Sequence, residues 1–290
     1  AYENAPFTGP FDAKLSVGSP RRDSLSPLLT LSGLRLTGDW TPGRWLGRLP
    51  TTGLRTAWLE TVEGSLSLAS KGGIVGDGLR LEAELSDGLL HIDQIEASPW
   101  QGELQAEVKL ERRNDQPFVT IVADLDQVEA ADFADWIGLK SGIDGPLDLR
   151  LEARSSGPTP YNLMAGLAGE LAIKAGPGVL KGRGIPLLRE TLAAETSDRI
   201  TANSRLAMPY REIDAEARLS RGVLTFEDAR LLLNPVDGTD TEAAVDGTVD
   251  MLLWVIDLAL TATGTADPAP STYRLVGPPD RPAGWTAAGN

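Results

Sequence analysis

Apolar and polar residues alternate with a period of two along most of this chain. Between residues 79 and 85 every second residue is Leu or Ala, and the residues between them are charged. The alternation resumes at Leu90 after Ser86-Asp87-Gly88, a sequence typical of a tight turn. Because successive side chains of a strand point to opposite faces of a sheet, the pattern predicts a β-hairpin with one apolar face. Its apolar positions are Leu79, Leu81, Ala83, Leu85, Leu90 and Ile92.

The same alternation recurs in four segments, at residues 104–110, 119–125, 147–153 and 213–219. Another strand is expected after the turn Ser220-Arg221-Gly222. Together these segments predict a mainly β protein built on an antiparallel sheet, with one apolar face and one polar face. The apolar positions of the four segments are Leu104, Ala106, Val108, Leu110, Val119, Ile121, Ala123, Leu125, Leu147, Leu149, Leu151, Ala153, Ile213, Ala215, Ala217 and Leu219.

A weak repeat indicates how this sheet grows. Residues 87–93 and 221–227 share the order turn residue, Gly, two apolar residues, a polar residue, an apolar residue and an acidic residue. Gly178-Val179-Leu180 is a partial third copy. Repeated hairpins favour an extended sheet that grows sideways, and a compact sandwich stays open as the alternative.

Short helices are expected to interrupt the strands. Asp126 with Glu129 three residues later has the capping-box pattern, and Gly138 follows the last apolar residue. The pattern predicts a helix over residues 127–137 whose apolar face holds Val128, Phe133, Trp136 and Ile137. Weaker patterns predict three further short helices, at residues 41–49, 161–167 and 186–194.

Composition and charge exclude one class of partner. The chain has 290 residues, a formal net charge of −14 and no basic stripe interleaved with aromatic residues. Such a chain would be repelled by a phosphate backbone, so no nucleic-acid partner is expected. It has no cysteine, and its longest apolar run, Met251–Ile256, is too short to span a bilayer. Because the chain begins at Ala1, we expect any signal or anchor to lie outside it.

The sequence predicts no catalytic or metal-binding site. The single histidine, His91, lies in the middle of a predicted strand on the polar face, where a solvated side chain is expected. The segment 176–182 is glycine-rich, but it lacks the spacing of a phosphate-binding loop and is interpreted as a turn. Asp237, Asp240, Glu242 and Asp246 do not have EF-hand spacing and are expected to form a solvated loop. We therefore expect no catalytic residue, no cofactor and no metal.

The order of these elements resembles the AsmA family, envelope proteins of Gram-negative bacteria. Residues 205–281 resemble the family's C-terminal domain, a β-meander that ends in a Pro-rich stop, and the similarity covers residues 55–281. The membrane anchor usual at the N-terminus of the family is expected to lie outside this chain. The other segments that carry the resemblance are Gly78–Leu85, Asp87–Leu90, the turn ending at Gly102, Ala123–Glu129, Ile143–Leu151 and Leu167–Lys174.

The resemblance implies a long, curved antiparallel sheet folded lengthwise into an apolar groove. Residues 55–281 would form this β-groove domain, 1–54 a Pro-rich segment that continues the sheet, and 282–290 a tail. It implies a periplasmic protein tethered to the inner membrane by an N-terminal helix. Its partners would be phospholipid or another acyl lipid, together with envelope membrane proteins. The residues expected to line the groove are Leu79, Leu81, Leu85, Leu104, Val108, Val119, Ile121, Leu147, Leu149, Leu151, Ile213 and Leu219.

Three functions stay open at this point. The first is a lipid-handling or envelope-assembly module, and small residues such as Ala106 and Ala123 on the apolar face would leave space for acyl chains. The second is a structural or interaction domain of the same fold, whose groove is filled by its own side chains. The third, an enzyme that acts on glycans, would require a pair of carboxylates, and no pair stands out for that role.

Overall fold

The structure is a computed structural model. It describes residues 10–18, 26–35, 49, 51–54, 56–60, 63–70, 79–137, 142–181, 207–234, 241–262, 270–278 and 286–287. In the first two ranges and the last, it describes the backbone alone. The helix expected at 186–194 lies outside the described residues, and so does the one expected at 41–49 apart from Leu49.

The described chain forms one antiparallel sheet of seventeen strands, which confirms the mainly β prediction. Two α-helices, α1 (Ala130–Ile137) and α2 (Pro160–Ala165), and two 3₁₀ helices, Ala57–Glu60 and Pro99–Gln101, interrupt it. None of the described helices is both long and apolar enough to cross a membrane. The strands are β1 (Pro10–Gly18), β2 (Ser26–Arg35), β3 (Glu63–Ser70), β4 (Arg80–Ser86), β5 (Leu89–Ala97), β6 (Glu103–Arg113), β7 (Gln116–Glu129), β8 (Ile143–Asp144), β9 (Pro146–Ser156), β10 (Ala168–Ala175), β11 (Gly178–Lys181), β12 (Ala207–Ser220), β13 (Val223–Leu233), β14 (Thr241–Asp250), β15 (Val255–Ala262), β16 (Ser271–Gly277) and β17 (Thr286–Ala287).

The sheet grows sideways, nearly in chain order. From β3 to β7, and from β12 to β17, each strand pairs with the next; β1 lies between β2 and β3, while β9 pairs with β7 and β10. The short strands β8 and β11 pair with each other and extend the positions of β9 and β10. Tight hairpins such as Asp87-Gly88, with φ angles of 51° and 78°, make this possible. Turn residues with positive φ angles give the turn a backbone twist that matches the right-handed twist of the paired strands.

Five strands contain bulges that bend the sheet. Extra residues that shift the register occur in β2, β5, β7, β12 and β13. A bulge bends its strand and increases the local twist, so the sheet departs from a flat surface. The extra residues lie between Pro27 and Leu29 and between Leu31 and Leu34 in β2, between Ile92 and Ile95 in β5, between Leu125 and Val128 in β7, between Tyr210 and Glu212 in β12, and between Phe226 and Ala229 in β13.

The predicted start of the first helix is wrong. Strand β7 continues to Glu129, and α1 begins at Ala130. Asp126, the expected N-cap, pairs in the ladder with Glu103. Gln127 adopts a φ of 52° in the bulge, where its backbone N–H donates to Asp148 Oδ1 over 2.8 Å. The pairing of β7 with strands on both sides outweighed a local capping pattern that predicted helix from the sequence alone.

The structure also tests the second helix prediction and the predictions for the apolar run at Met251 and for the acidic loop. The helix expected at 161–167 is α2, whose N-cap Thr159 accepts a hydrogen bond from the backbone N–H of Asn162 at 3.0 Å. The apolar run that begins at Met251 is divided, because residues 251–254 form the turn between β14 and β15. Of the expected acidic loop, Glu242 and Asp246 lie in β14 instead, and residues 237 and 240 lie outside the described chain.

The most deeply buried residues form a cluster at the α1 end of the sheet. Val128, Met208 and Leu233 are fully buried there, and Tyr210 is 2% exposed. The Tyr210 hydroxyl donates to the backbone oxygen of Asp144 at 2.8 Å, and burial raises the pKa of Tyr210 to about 12. This end of the sheet therefore has a closed core.

Candidate functional site

One row of directly paired residues crosses twelve strands, from β3 to β16, and we call it the apolar stripe. Neighbouring strands lie about 4.8 Å apart, so twelve strands extend the stripe over about 50 Å. Directly opposed side chains are close enough to touch, which makes the surface continuous. The stripe consists of Leu68, Leu81, Ile95, Ala106, Ala123, Leu151, Leu171, Ala217, Phe226, Gly247, Leu258 and Leu275.

Two parallel rows widen the stripe, one on each side. The α1-side row lies nearer α1, and the turn-side row lies nearer the turns at 87–88 and 221–222. Two residues along a strand span about 6.6 Å, so three rows give an apolar band about 13 Å wide. The α1-side row holds Ala97, Leu104, Leu125, Leu149, Ile173, Ala215, Ala229, Val245, Leu260 and Tyr273. The turn-side row holds Ile92, Val108, Ile121, Ala153, Gly169, Leu219, Leu224, Val249 and Ile256.

Exposure differs between the stripe and its flanks. Every residue of the stripe except Ala217 is partly exposed. In the α1-side row, by contrast, the residues from Ala215 to Tyr273 are all buried. The apolar face is therefore partly accessible along its middle, except at Ala217, and its α1-side row is closed from β12 to β16.

Aromatic side chains close the α1 end. Trp100, in the 3₁₀ helix, is 5% exposed, and its ring centroid lies 5.6 Å from that of Phe133 and 5.3 Å from that of Trp136. The backbone at Gly102, which follows this 3₁₀ helix, packs closely against β7. A Cβ at this position would lie 2.3 Å from the backbone oxygen of Asp126. The predicted apolar helical face thus packs as expected for Phe133 and Trp136, whereas Val128 is buried within the strand.

The structure places the twelve predicted groove residues on one face, and that they hold lipid stays a prediction. Eleven lie in paired strands with the same side-chain direction, and Leu79 directly precedes β4. Eight are partly exposed: Leu79, Leu81, Leu104, Val108, Val119, Ile121, Leu149 and Leu151. Four are buried: Leu85, Leu147, Ile213 and Leu219.

Sequence reasoning missed the part of the stripe in β10 and β13–β16. Leu171, Phe226, Leu258 and Leu275 belong to it. Alternation in residues 256–261, where apolar residues are separated by Asp, Ala and Thr, was the available signal. It was obscured because the preceding turn, 251–254, is also apolar.

Charge is confined to the borders and the opposite face of this site. None of the residues in the three rows is charged. Arg112, near the end of β6, is 24% exposed, and its guanidinium lies 3.0 Å from Glu60 Oε2 and 2.6 Å from Asp115 Oδ1. Among the residues that the structure describes, the apolar face therefore meets the charge of Arg112 at its border, where that charge is paired.

The opposite face carries hydrogen-bonded charges. His91 Nε2 lies 2.6 Å from Glu107 Oε1, and Lys109 Nζ lies at the same distance from that oxygen. Hydrogen bonds from Lys109 and His91 hold the pKa of the Glu107 carboxyl below its usual value. His91 is thus on the polar face as predicted, but it is partly buried and paired. Within the described chain, no group of three or more His, Asp or Glu residues is placed to bind a metal ion.

Comparison with known proteins gives one finding. The family model described as "AsmA family" matches residues 55–229 of this chain. Neither the comparison with curated proteins nor that with solved structures gave a match. The matched region contains the strands β3–β12 and most of β13, together with both α-helices.

Proposed function

Because this chain belongs to the AsmA family, we propose that it is a cell-envelope module that holds lipid acyl chains on the apolar stripe. In this proposal the protein is periplasmic, tethered to the inner membrane, and contributes to phospholipid transport between the inner and outer membranes or to outer-membrane assembly. The observation that carries the proposal is a row of uncharged residues that pair directly across twelve strands, and eleven of these residues, all except Ala217, are partly exposed.

The physical demand on such a module is large. Each methylene exposed to water costs about 0.8 kcal/mol, so two acyl chains of about fifteen carbons cost on the order of 20 kcal/mol. A continuous apolar surface removes that cost at every point along the path. The stripe, at about 50 Å, is longer than the hydrocarbon core of a bilayer, which is about 30 Å thick.

The shape of the stripe also suits a flat, mobile ligand. Ala106, Ala123, Ala217 and Gly247 are interspersed among larger residues along it. Small side chains lower the surface locally and leave volume for a chain to lie against the sheet. Dispersion contacts with such a surface are individually weak, which would let an acyl chain slide.

A second function, a structural or interaction domain of the same fold, is favoured by one observation. Around β12 the apolar face is buried, since Ala215 and Ala217 are each 5% exposed and Leu219 is 4% exposed. A face buried at this point would divide the stripe into two shorter apolar segments. A domain of that kind would hold lipid poorly and would act through its surface.

Photo-crosslinking at adjacent residues of β9 tests the proposal. Leu151 lies in the stripe, and Glu152 points to the opposite face. A photoreactive phenylalanine analogue at residue 151 should crosslink to phospholipid in cells, while the same analogue at residue 152 should not. Native mass spectrometry of the protein purified from membranes should show bound phospholipid.

Equal labelling at the two positions, or no lipid in either measurement, would overturn the groove proposal. The compartment is tested separately. A fusion of the full-length protein to alkaline phosphatase, an enzyme active only after export, should show phosphatase activity if this region is periplasmic.

A further inference from the structure

The turn between β14 and β15 presents an unusual surface. Its four residues, 251–254, are Met, Leu, Leu and Trp. Leu253 is 73% exposed, the largest value among the exposed large apolar residues of the described chain. Val255 and Val276, which are 36% and 40% exposed, lie on the opposite face of β15 and β16, where Val276 pairs with Asp257. We call residues 251–255 the hairpin tip.

The backbone of the hairpin tip is held in place by internal hydrogen bonds. Asp250 Oδ1 accepts from the backbone N–H groups of Leu252 and Leu253, each at 2.8 Å. The N–H of Met251 donates to the oxygen of Gly222 in the neighbouring hairpin at 2.9 Å. Three of the turn's donors are therefore satisfied without water, which is the condition for placing a backbone against hydrocarbon.

The hairpin tip lies at the border of the apolar face. Val249 and Ile256, both in the turn-side row, pair with each other directly behind it. The neighbouring turn carries Arg221, which is exposed, and a guanidinium suits a lipid phosphate group. Apolar residues at a turn that exposes Leu253, with a cation in the neighbouring turn, match the order of hydrocarbon and headgroups in a bilayer.

We propose that the hairpin tip inserts into the interfacial region of a lipid bilayer and docks this border of the sheet against the membrane. Leu and Trp side chains partition into that region. A second protein is a poorer fit, because a stable protein–protein interface buries about 800 Å² on each partner, more than one turn supplies. The proposal does not depend on lipid occupying the stripe.

A single reporter tests it, because the chain has no cysteine. Leu253→Cys, labelled with an environment-sensitive NBD fluorophore, should show a blue shift and a severalfold gain in fluorescence with vesicles of phosphatidylcholine and phosphatidylethanolamine. The matched control is Glu216→Cys with the same label, on the exposed outer face of β12. Its emission should not change.

Binding is tested with the unlabelled protein. Leu253→Asp should weaken partition into the same vesicles about tenfold, and Leu253→Met should bind as the wild type does. Because Leu253 is 73% exposed, neither variant should change the melting temperature.

Three outcomes would overturn the proposal. One is a label at residue 253 whose fluorescence emission does not change when vesicles are added. Another is binding of Leu253→Asp to vesicles that equals that of the wild type. The third is a blue shift that follows protein concentration without vesicles, which would assign the tip to contact with a second copy. Loss of lipid from the stripe would leave all of these readouts unaffected, so the two proposals fail separately.

Discussion

Val108→Arg distinguishes an open groove from a plugged one. Val108 lies in β6 on the apolar face, directly between Ile92 and Ile121, and it is partly exposed. On an open face, the aliphatic stem of arginine can lie along the neighbouring side chains while its guanidinium reaches water. The cost is then part of the burial of one valine, about 1 kcal/mol.

The two readings predict very different melting curves. A loss of about 1 kcal/mol lowers the melting temperature of a large domain by about 2 to 4 °C. If the face is plugged by the protein itself, the same change buries an unpaired charge and costs several kcal/mol. That loss approaches the whole stability of an ordinary domain, so the melting transition should collapse.

Val122→Arg is the matched control, because it makes the same substitution on the opposite face. Val122 is 36% exposed and lies between Glu107 and Glu152 in the register of β6, β7 and β9. An arginine there meets two carboxylates and should change stability by less than about 0.5 kcal/mol. Glu107 itself is unsuitable as a control, because it is hydrogen-bonded to His91 and Lys109.

The assay combines thermal unfolding with the amount of phospholipid that co-purifies with each variant. The groove proposal expects Val108→Arg to melt within a few degrees of the wild type and to lose most of its lipid, while Val122→Arg keeps both properties. A collapsed melt for Val108→Arg would support the plugged domain. A folded Val108→Arg variant with normal lipid content would refute the assignment of this strand to the groove.

Two further predictions concern the closed end of the sheet. Gly102→Ala should cost about 2 to 3 kcal/mol in urea unfolding, because its Cβ would lie 2.3 Å from the oxygen of Asp126; a stability equal to the wild type would contradict that contact. Tyr210→Phe should cost about 1 kcal/mol at pH 8 through the lost hydrogen bond to Asp144. The folded state raises the pKa of Tyr210 from 10.0 to about 12, so it keeps a proton that the unfolded chain loses. Wild-type stability should therefore fall between about pH 10 and 12 relative to Tyr210→Phe. Urea unfolding across that range checks the difference, and parallel curves would refute the burial argument.

Local sequence rules were sufficient to predict the strands and to identify which side of each strand is apolar. Alternation between residues 79 and 85 identifies the apolar side of β4, because strand geometry leaves two directions for a side chain. The turn at Asp87-Gly88 was also predictable from the sequence, since Asp and Gly tolerate the positive φ angles that this turn requires. The order of these units along the chain was enough to indicate the family.

Tertiary pairing decided the features that local patterns predicted wrongly. Residues 126–129 have the signal of a helix start, yet they extend β7, because Asp126 pairs with β6 and Val128 and Glu129 pair with β9. A capping pattern contributes about 1 kcal/mol, and pairing along two strands outweighs it. No property of the segment alone shows that those partners are present.

Exposure along the apolar face also depends on the assembled sheet. Leu81 and Leu85 lie in the same strand and follow the same periodicity, but Leu81 is partly exposed and Leu85 is 7% exposed. Likewise, the sequence marks the hairpin tip as an apolar run, and only the structure shows Leu253 exposed with Asp250 holding its backbone. Periodicity determines which side of a strand a residue occupies. What covers that side depends on register, bulges and distant segments, because burial is a property of neighbours that are remote in the chain.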